Sequence, residues 1–153
     1  MKIAVACDHA GFPLKGMAIQ TVRDCGHEPL DLGVDSDAPA DYPDQAGKVG
    51  QAIQSGWADR GVLICGSGVG ACIAANKMKG VYAGVCHDTY SARQAVEHDE
   101  MNVICLGARV IGPEIAHEVI VAFLSARFIG YDPGQERHVR RVAKIKKMES
   151  QSS

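Results

Sequence analysis

An α/β sandwich, with helices on both faces of a five-stranded parallel sheet (three layers, α/β/α), is the fold this chain predicts, and three observations predict it. Short apolar runs alternate with segments of helical spacing five times over. The runs are continuous rather than alternating in polarity. That is the pattern of strands buried on both faces, and such strands belong to parallel sheets covered by helices. Glycine and proline stand at many of the joints, where short turns are needed.

Residues 2–8, KIAVACD, read as the first strand. Residues 13–26 follow with helical spacing, opened by Pro13 and stopped by Gly26. Residues 28–33 give the second strand, then comes a polar, turn-rich stretch, VDSDAPADYPDQ, and residues 44–57 read as a helix. GVLICG, 61–66, is a buried strand, and the next helix runs through ACIAANK. Residues 81–86 make the fourth strand and 89–99 a helix. Residues 102–107 make the fifth strand, and 113–126 an amphipathic helix that opens on Pro113. A Gly/Pro linker, GYDPGQ, leads into a basic last helix, RHVRRVAKIKKME. The expected strand order is 2-1-3-4-5, with ligands held at the carboxyl ends of strands one and three, where the order reverses. Residues 1–149 are expected to form one domain and 150–153 a polar tail.

The chain of 153 residues is 46% apolar and 22% charged, which is ordinary for a globular protein. A domain of this size buries roughly two-thirds of its unfolded surface. A net charge of −2 selects neither nucleic acid nor a membrane surface as partner. No apolar run approaches the roughly 18 residues of a spanning helix. The first apolar run stops at Asp8 with no small-residue cleavage site after it, so a strand and a cytoplasmic protein are expected. Cys7, Cys25, Cys65, Cys72, Cys86 and Cys105 contain no C-x-x-C pair, which argues against zinc and thioredoxin-like chemistry. Five of these thiols are expected to be structural and one to work.

The working thiol is sought in ICGSGVGACIAANK, residues 64–77. Gly66, Gly68 and Gly70, with Ser67 and Val69 between them, let backbone amides approach a ligand at a helix start. The spacing is G-x-G-x-G on the third strand, so it is neither the dinucleotide fingerprint nor a P-loop. A tight turn without a ligand is the plain alternative. Cys65 stands at the strand's end facing the amino end of a helix, a place that favours the thiolate. Such a thiolate can act as a nucleophile toward an acyl group, with His9, His87 or His98 as partner, or as a proton-transfer base beside amides that hold an enediolate.

Other polar groups gather at strand ends. Asp8 and His9 follow the first strand, where Asp8 is either a helix cap or a ligand. His98 and Asp99 precede the fifth strand, and Arg109 follows it. Arg137 and Arg141 lie four apart on one face of the last helix, either as a solvated basic face or as a guanidinium clamp for phosphate.

Together, KIAVACDHAGFPLK, DYPD, GVLICGSGVGACIAANK, VCHDTYSARQAVEH, NVICLGARVIG and RHVRRVAKI resemble the ribose-5-phosphate isomerase B / galactose-6-phosphate isomerase family, in this order and over nearly the whole chain. The resemblance implies a Rossmann-like fold, a homodimer or homotetramer with shared active sites, and no metal or other cofactor. It implies aldose–ketose isomerisation of a phosphorylated sugar of the ribose 5-phosphate type through a cis-enediolate. A tetrose 4-phosphate, a hexose 6-phosphate or a non-catalytic phosphosugar-binding module are the alternatives.

By position it makes Cys65 the base, His98 the ring-opening acid/base and Ser67 a hydrogen-bonding neighbour of the thiol. The amides of Gly66, Ser67, Gly68, Val69 and Gly70 hold the enediolate, and Asp8 a sugar hydroxyl. His9, Arg137 and Arg141 bind the phosphate, while Arg109 and Tyr42 line the site. One position departs from the family pattern: the residue after the ring-opening histidine is Asn there and Asp99 here. An ionised carboxylate only accepts hydrogen bonds, so Asp99 is expected to disfavour ribose 5-phosphate.

Overall fold

The computed structural model describes residues 1–151. Its elements follow the expected alternation: β1 Lys2–Cys7, α1 Phe12–Asp24, β2 Glu28–Asp31, α2 Tyr42–Gln54, β3 Arg60–Cys65, α3 Val69–Ala75, β4 Ala83–Val85, α4 Thr89–Asp99, β5 Val103–Gly107, α5 Pro113–Ser125 and α6 Glu136–Gln151. The last helix continues through Gln151, two residues into the expected tail, and residues 152 and 153 of that tail lie outside the described residues.

All strand pairs are parallel. Cys7 of β1 stands opposite Ile64 of β3, and Cys65 of β3 opposite Gly107 of β5. The order is β2-β1-β3-β5-β4, which corrects the expected 2-1-3-4-5. Burial explains the exchange. The residues of β5, VICLG, are buried throughout and suit an interior position, whereas β4 is three residues, AGV, two half-exposed and Val85 exposed, and ends the sheet.

The exchange also decides where α4 goes. Crossovers between parallel strands are right-handed, so a helix that returns the chain toward the sheet's centre changes face. The α4 helix therefore joins α1 and α5, and its Ala92 and Val96 share one core with Val22, Ile64, Ile104 and Phe123. The other face is built from small side chains. Ala4, Ala6, Ala46, Ala71 and Ala75 surround Leu63, Cys65 and Cys105, letting α2 and α3 approach the sheet closely. This is the face on which Cys65 lies.

The carboxyl end of α5 is held by an arginine from the sheet. Arg60 donates from Nη1 to the Phe123 carbonyl at 2.7 Å and from Nη2 to the Ala126 carbonyl at 2.8 Å. Its guanidinium lies 5.3 Å from the centroid of the Phe123 ring. Replacing Arg60 by Met keeps the aliphatic stem and leaves both carbonyls without their donors. Charge-assisted bonds contribute about 1.5–3 kcal/mol each, but not additively, so Arg60→Met should lower the unfolding free energy by about 3 kcal/mol in urea denaturation. A loss below about 0.5 kcal/mol would mean that water satisfies those carbonyls equally well.

Candidate active site

The carboxyl ends of β1, β3 and β5 meet around a cavity of about 290 Å³ lined by Asp8, Tyr42, Cys65, Gly66, Ser67, Gly70, Arg109 and Val110. Cys65 ends β3 and is 4% exposed. The chain then turns through Gly68, whose φ of 82° lies in the left-handed region that favours glycine. That turn aims the Gly68 amide back at the thiol, and Gly68 N–H donates to Cys65 Sγ at 3.1 Å. Ser67 Oγ accepts from Val69 N at 3.2 Å. Tyr42 covers the loop, and a Cβ on Gly70 would come within 2.7 Å of its ring. Glycine at 70 is therefore what lets the ring close on the loop.

Two backbone bonds stitch the loop to the end of β5: Ala108 N donates to the Cys65 carbonyl at 2.9 Å, and Arg109 N to the Gly66 carbonyl at 3.0 Å. They place the Arg109 side chain over Gly66. Asp8 is 5% exposed and accepts from Gly11 N at 2.9 Å through Oδ1. It thus shapes the turn into α1 and also lines the cavity. His9 stands next to the cavity wall, its Nδ1 accepting from Ala40 N at 3.2 Å. Gly68 and Val69 likewise flank the wall. Val110 belongs to it and was not singled out in the sequence, where an apolar residue after a strand carries no signal.

None of the three histidines considered as partners for the thiol bonds to it among the described residues. His87 Nε2 accepts from Gly107 N at 2.9 Å, which places its proton on Nδ1. Burial holds this imidazole below its ordinary pKa. His9 is engaged with the loop before α2, and His98 is far away.

A different thiol is the acidified one. Cys72 on α3 is pulled down to about 7, chiefly by its hydrogen bond with the Cys105 thiol, while that bond and burial push Cys105 well up. The Cys72 thiol points at the Ala83 carbonyl, 3.4 Å away, and is not part of the cavity. All six cysteines are free. Among the described residues, no group of three or more His, Cys, Asp or Glu side chains could hold a metal ion.

The remaining expected residues form a second group. His98 and Asp99 end α4, and α4 runs from the carboxyl edge of the sheet back to its amino edge. Over its 11 residues it is about 16 Å long, which is the separation it puts between the two groups. His98 stacks on His138 of α6, ring centroids 4.1 Å apart and planes at 24°. Gln94 Nε2 donates to His98 Nδ1 at 2.9 Å, which leaves the imidazole proton on Nε2. Arg137 and Arg141 are exposed on α6, while His138 and Val142 are its buried residues. Arg137 donates to the Gly134 carbonyl at 3.0 Å. One chain therefore brings Asp8, Cys65, Ser67, Tyr42 and Arg109 together at one edge, and His98, Asp99, Arg137 and Arg141 at the other. His138 counted in the sequence only as part of a basic run. Its place four residues before Val142, on the buried face, was the one signal that could have separated it.

Comparison with known proteins agrees with this architecture. The family model described as Ribose/Galactose Isomerase matches residues 3–145. Ribose-5-phosphate isomerase B of Escherichia coli is 42% identical over 148 residues, covering 97% of this chain and 96% of that protein. D-erythrulose-4-phosphate isomerase of Pectobacterium atrosepticum is 42% identical over 151 residues, covering 90% of this chain and 99% of that protein. The solved structure of Clostridium thermocellum ribose-5-phosphate isomerase B superposes with a TM-score of 0.93 at 40% identity, over 100% of both chains. No helix among the described residues is long and apolar enough to cross a membrane. With a family model spanning nearly the whole chain and close relatives matched end to end, the chain belongs to the ribose/galactose isomerase family of sugar-phosphate isomerases.

Proposed function

We propose that this protein interconverts an aldose phosphate and its ketose phosphate, with Cys65 as the proton-transfer base. The observation that carries this reading is the Gly68 amide donating to Cys65 Sγ inside a cavity walled by Asp8, Ser67 and Arg109. An amide donor aimed at sulfur suits a thiolate, and polar groups that accept and donate surround the place where a sugar's C1 and C2 would lie. The thiolate takes the C2 proton of the open-chain aldose. The C–H electron pair becomes the C1–C2 double bond, and charge moves to O1, where the other amides of the 66–70 loop meet it. The thiol then returns the proton to C1 as the O2 proton passes to O1, which leaves a ketone at C2. Atoms and electrons balance with no added oxidant or metal.

His98 is the acid that protonates the ring oxygen of a cyclic aldose, a role served by the Nε2 proton that Gln94 fixes. His9, Arg137 and Arg141 hold the phosphate. Because the two groups sit at opposite edges of one chain, a complete site takes Cys65 from one subunit and His98, Arg137 and Arg141 from another. The assembly is a homodimer, or a homotetramer built from such dimers. Six free thiols suit the cytoplasm as its place of work. The sugar is a pentose 5-phosphate or a tetrose 4-phosphate, the substrate classes in the names of the two curated relatives compared above. Asp99, exposed beside His98 with acceptors only, weighs toward a substrate that offers a hydroxyl there.

Three measurements test the reading. Cys65→Ala should lower kcat about a thousandfold while a phosphosugar still binds, and turnover near normal would place the base elsewhere. Assayed on ribose 5-phosphate, which is cyclic, Cys65→Ala and His98→Ala should each be inactive alone. Refolding them together in equal amounts should restore about a quarter of the normal activity, since half the dimers then hold one intact site. No recovery on mixing would put both residues in the same subunit's site. Asp99→Asn should raise kcat/KM for ribose 5-phosphate relative to a tetrose 4-phosphate by about tenfold, and an unchanged ratio would make Asp99 a neutral replacement.

A further inference from the structure

His138 is the most deeply buried imidazole in the chain, 2% exposed, and neither ring nitrogen has a hydrogen-bond partner among the described residues. Buried polar atoms without partners are rare in folded proteins, and each calls for a reason. A leucine at this point of α6 would fill the space without that penalty, but it would offer no flat face. The His138 ring stacks on that of His98. Groups facing it from α6 are Arg137 and Arg141, and from α4 His98 and Asp99. Burial, His98 and the two guanidiniums all hold the His138 ring below its ordinary pKa, against Asp99 alone, so it is neutral beside a ring that must exchange a proton.

Only His138 and Val142 of α6 are buried, and the far end of the helix is tied by Lys146 Nζ to Glu100 at 2.6 Å. His98 lies in the last turn of α4, where Gln94 donates to its Nδ1. Among the described residues, that bond and the stack on His138 are what orient its ring. The flat face of His138 supplies that restraint, and it couples the His98 ring to the helix that carries Arg137 and Arg141.

We propose that His138 is a positioning residue for His98: the stacked ring holds the His98 imidazole so that its Nε2 proton meets the ring oxygen of a cyclic sugar phosphate whose phosphate the same helix binds. This rests on the reading of His98 as the ring-opening acid. The chemistry of the substrates separates the two ideas. Ribose 5-phosphate closes into a ring through O4. Ribulose 5-phosphate cannot close a five-membered ring, because the O5 it would need carries the phosphate. Exchange of the ketose C1 proton with solvent therefore reports the enediolate step without ring opening, whereas consumption of the aldose needs both.

The experiment measures both rates for His98→Ala, His138→Ala and His138→Phe, each checked for an unchanged melting temperature. His98→Ala should lose aldose turnover and keep deuterium exchange into ribulose 5-phosphate from heavy water. His138→Ala should do the same with a kcat loss of about tenfold to hundredfold and little change in KM, the scale expected for a misplaced catalytic group. His138→Phe keeps a flat ring and should restore aldose turnover to within a few-fold of normal.

Equal loss of both rates in His138→Ala, or a Phe variant no better than Ala, would overturn the positioning role while leaving His98 as the acid. If His98→Ala loses both rates equally, or the unaltered protein exchanges ketose protons without consuming ribose 5-phosphate, the ring-opening reading falls and this inference falls with it.

Discussion

In a parallel sheet, every connecting helix must carry the chain from the carboxyl edge of one strand back to the amino edge of the next. That constraint governs the whole layout of this molecule. Residues placed just after a strand gather at one edge, and residues placed at the end of a helix gather at the other. Cys65, Asp8 and Arg109 are of the first kind, and His98 and Asp99 of the second. No side-chain rotation bridges the length of α4. The proposed reaction uses both kinds of residue, which is why its proposed site takes one set from a second copy.

Within the carboxyl edge, the site depends on how closely α3 can approach the sheet. Small residues on that face, Ala4, Ala6, Ala71 and Ala75, bring the helix start down to the end of β3. The left-handed Gly68 then turns its amide toward the sulfur. Larger side chains sit on the opposite face, where Ile3, Ile64, Ile104, Leu106 and Phe123 supply most of the apolar burial. The two faces thus divide the work: one stabilises the fold by bulk, and the other accepts thinner packing so that backbone can reach the Cys65 sulfur.

The strands and helices were legible because continuous apolar runs and Pro or Gly boundaries are local signals. The order of β4 and β5 was not, because it depends on which strand can tolerate burial from both sides. VICLG can, and AGV, with a half-exposed glycine, ends the sheet better than it fills it. The glycine loop, Asp8 and Arg109 were legible from their places at strand ends. The engagement of His87 with Gly107 was not, since a backbone amide twenty residues away leaves no trace in spacing. His138 was hidden for a different reason: in RHVRR the charges dominate, and only its register with Val142 marks it as the residue of that run that faces inward.

The two thiols on the α3 face show why position outranks acidity in choosing a base. Cys72 is held near 7 by its neighbour Cys105, and on acidity alone it would be the natural candidate. Its sulfur, however, faces the Ala83 carbonyl and the amide of Asn76, and no wall of the cavity includes it. A base has to stand within hydrogen-bond reach of the proton it removes, so geometry is decided first and ionisation second. Cys65, the proposed base, lines the cavity together with Asp8 and Ser67, and an amide is already directed at its sulfur. The acidity of Cys72 comes from two thiols packed together beneath α3, away from that cavity, and the proposal therefore rests on the strand-end sulfur rather than on the more acidified one.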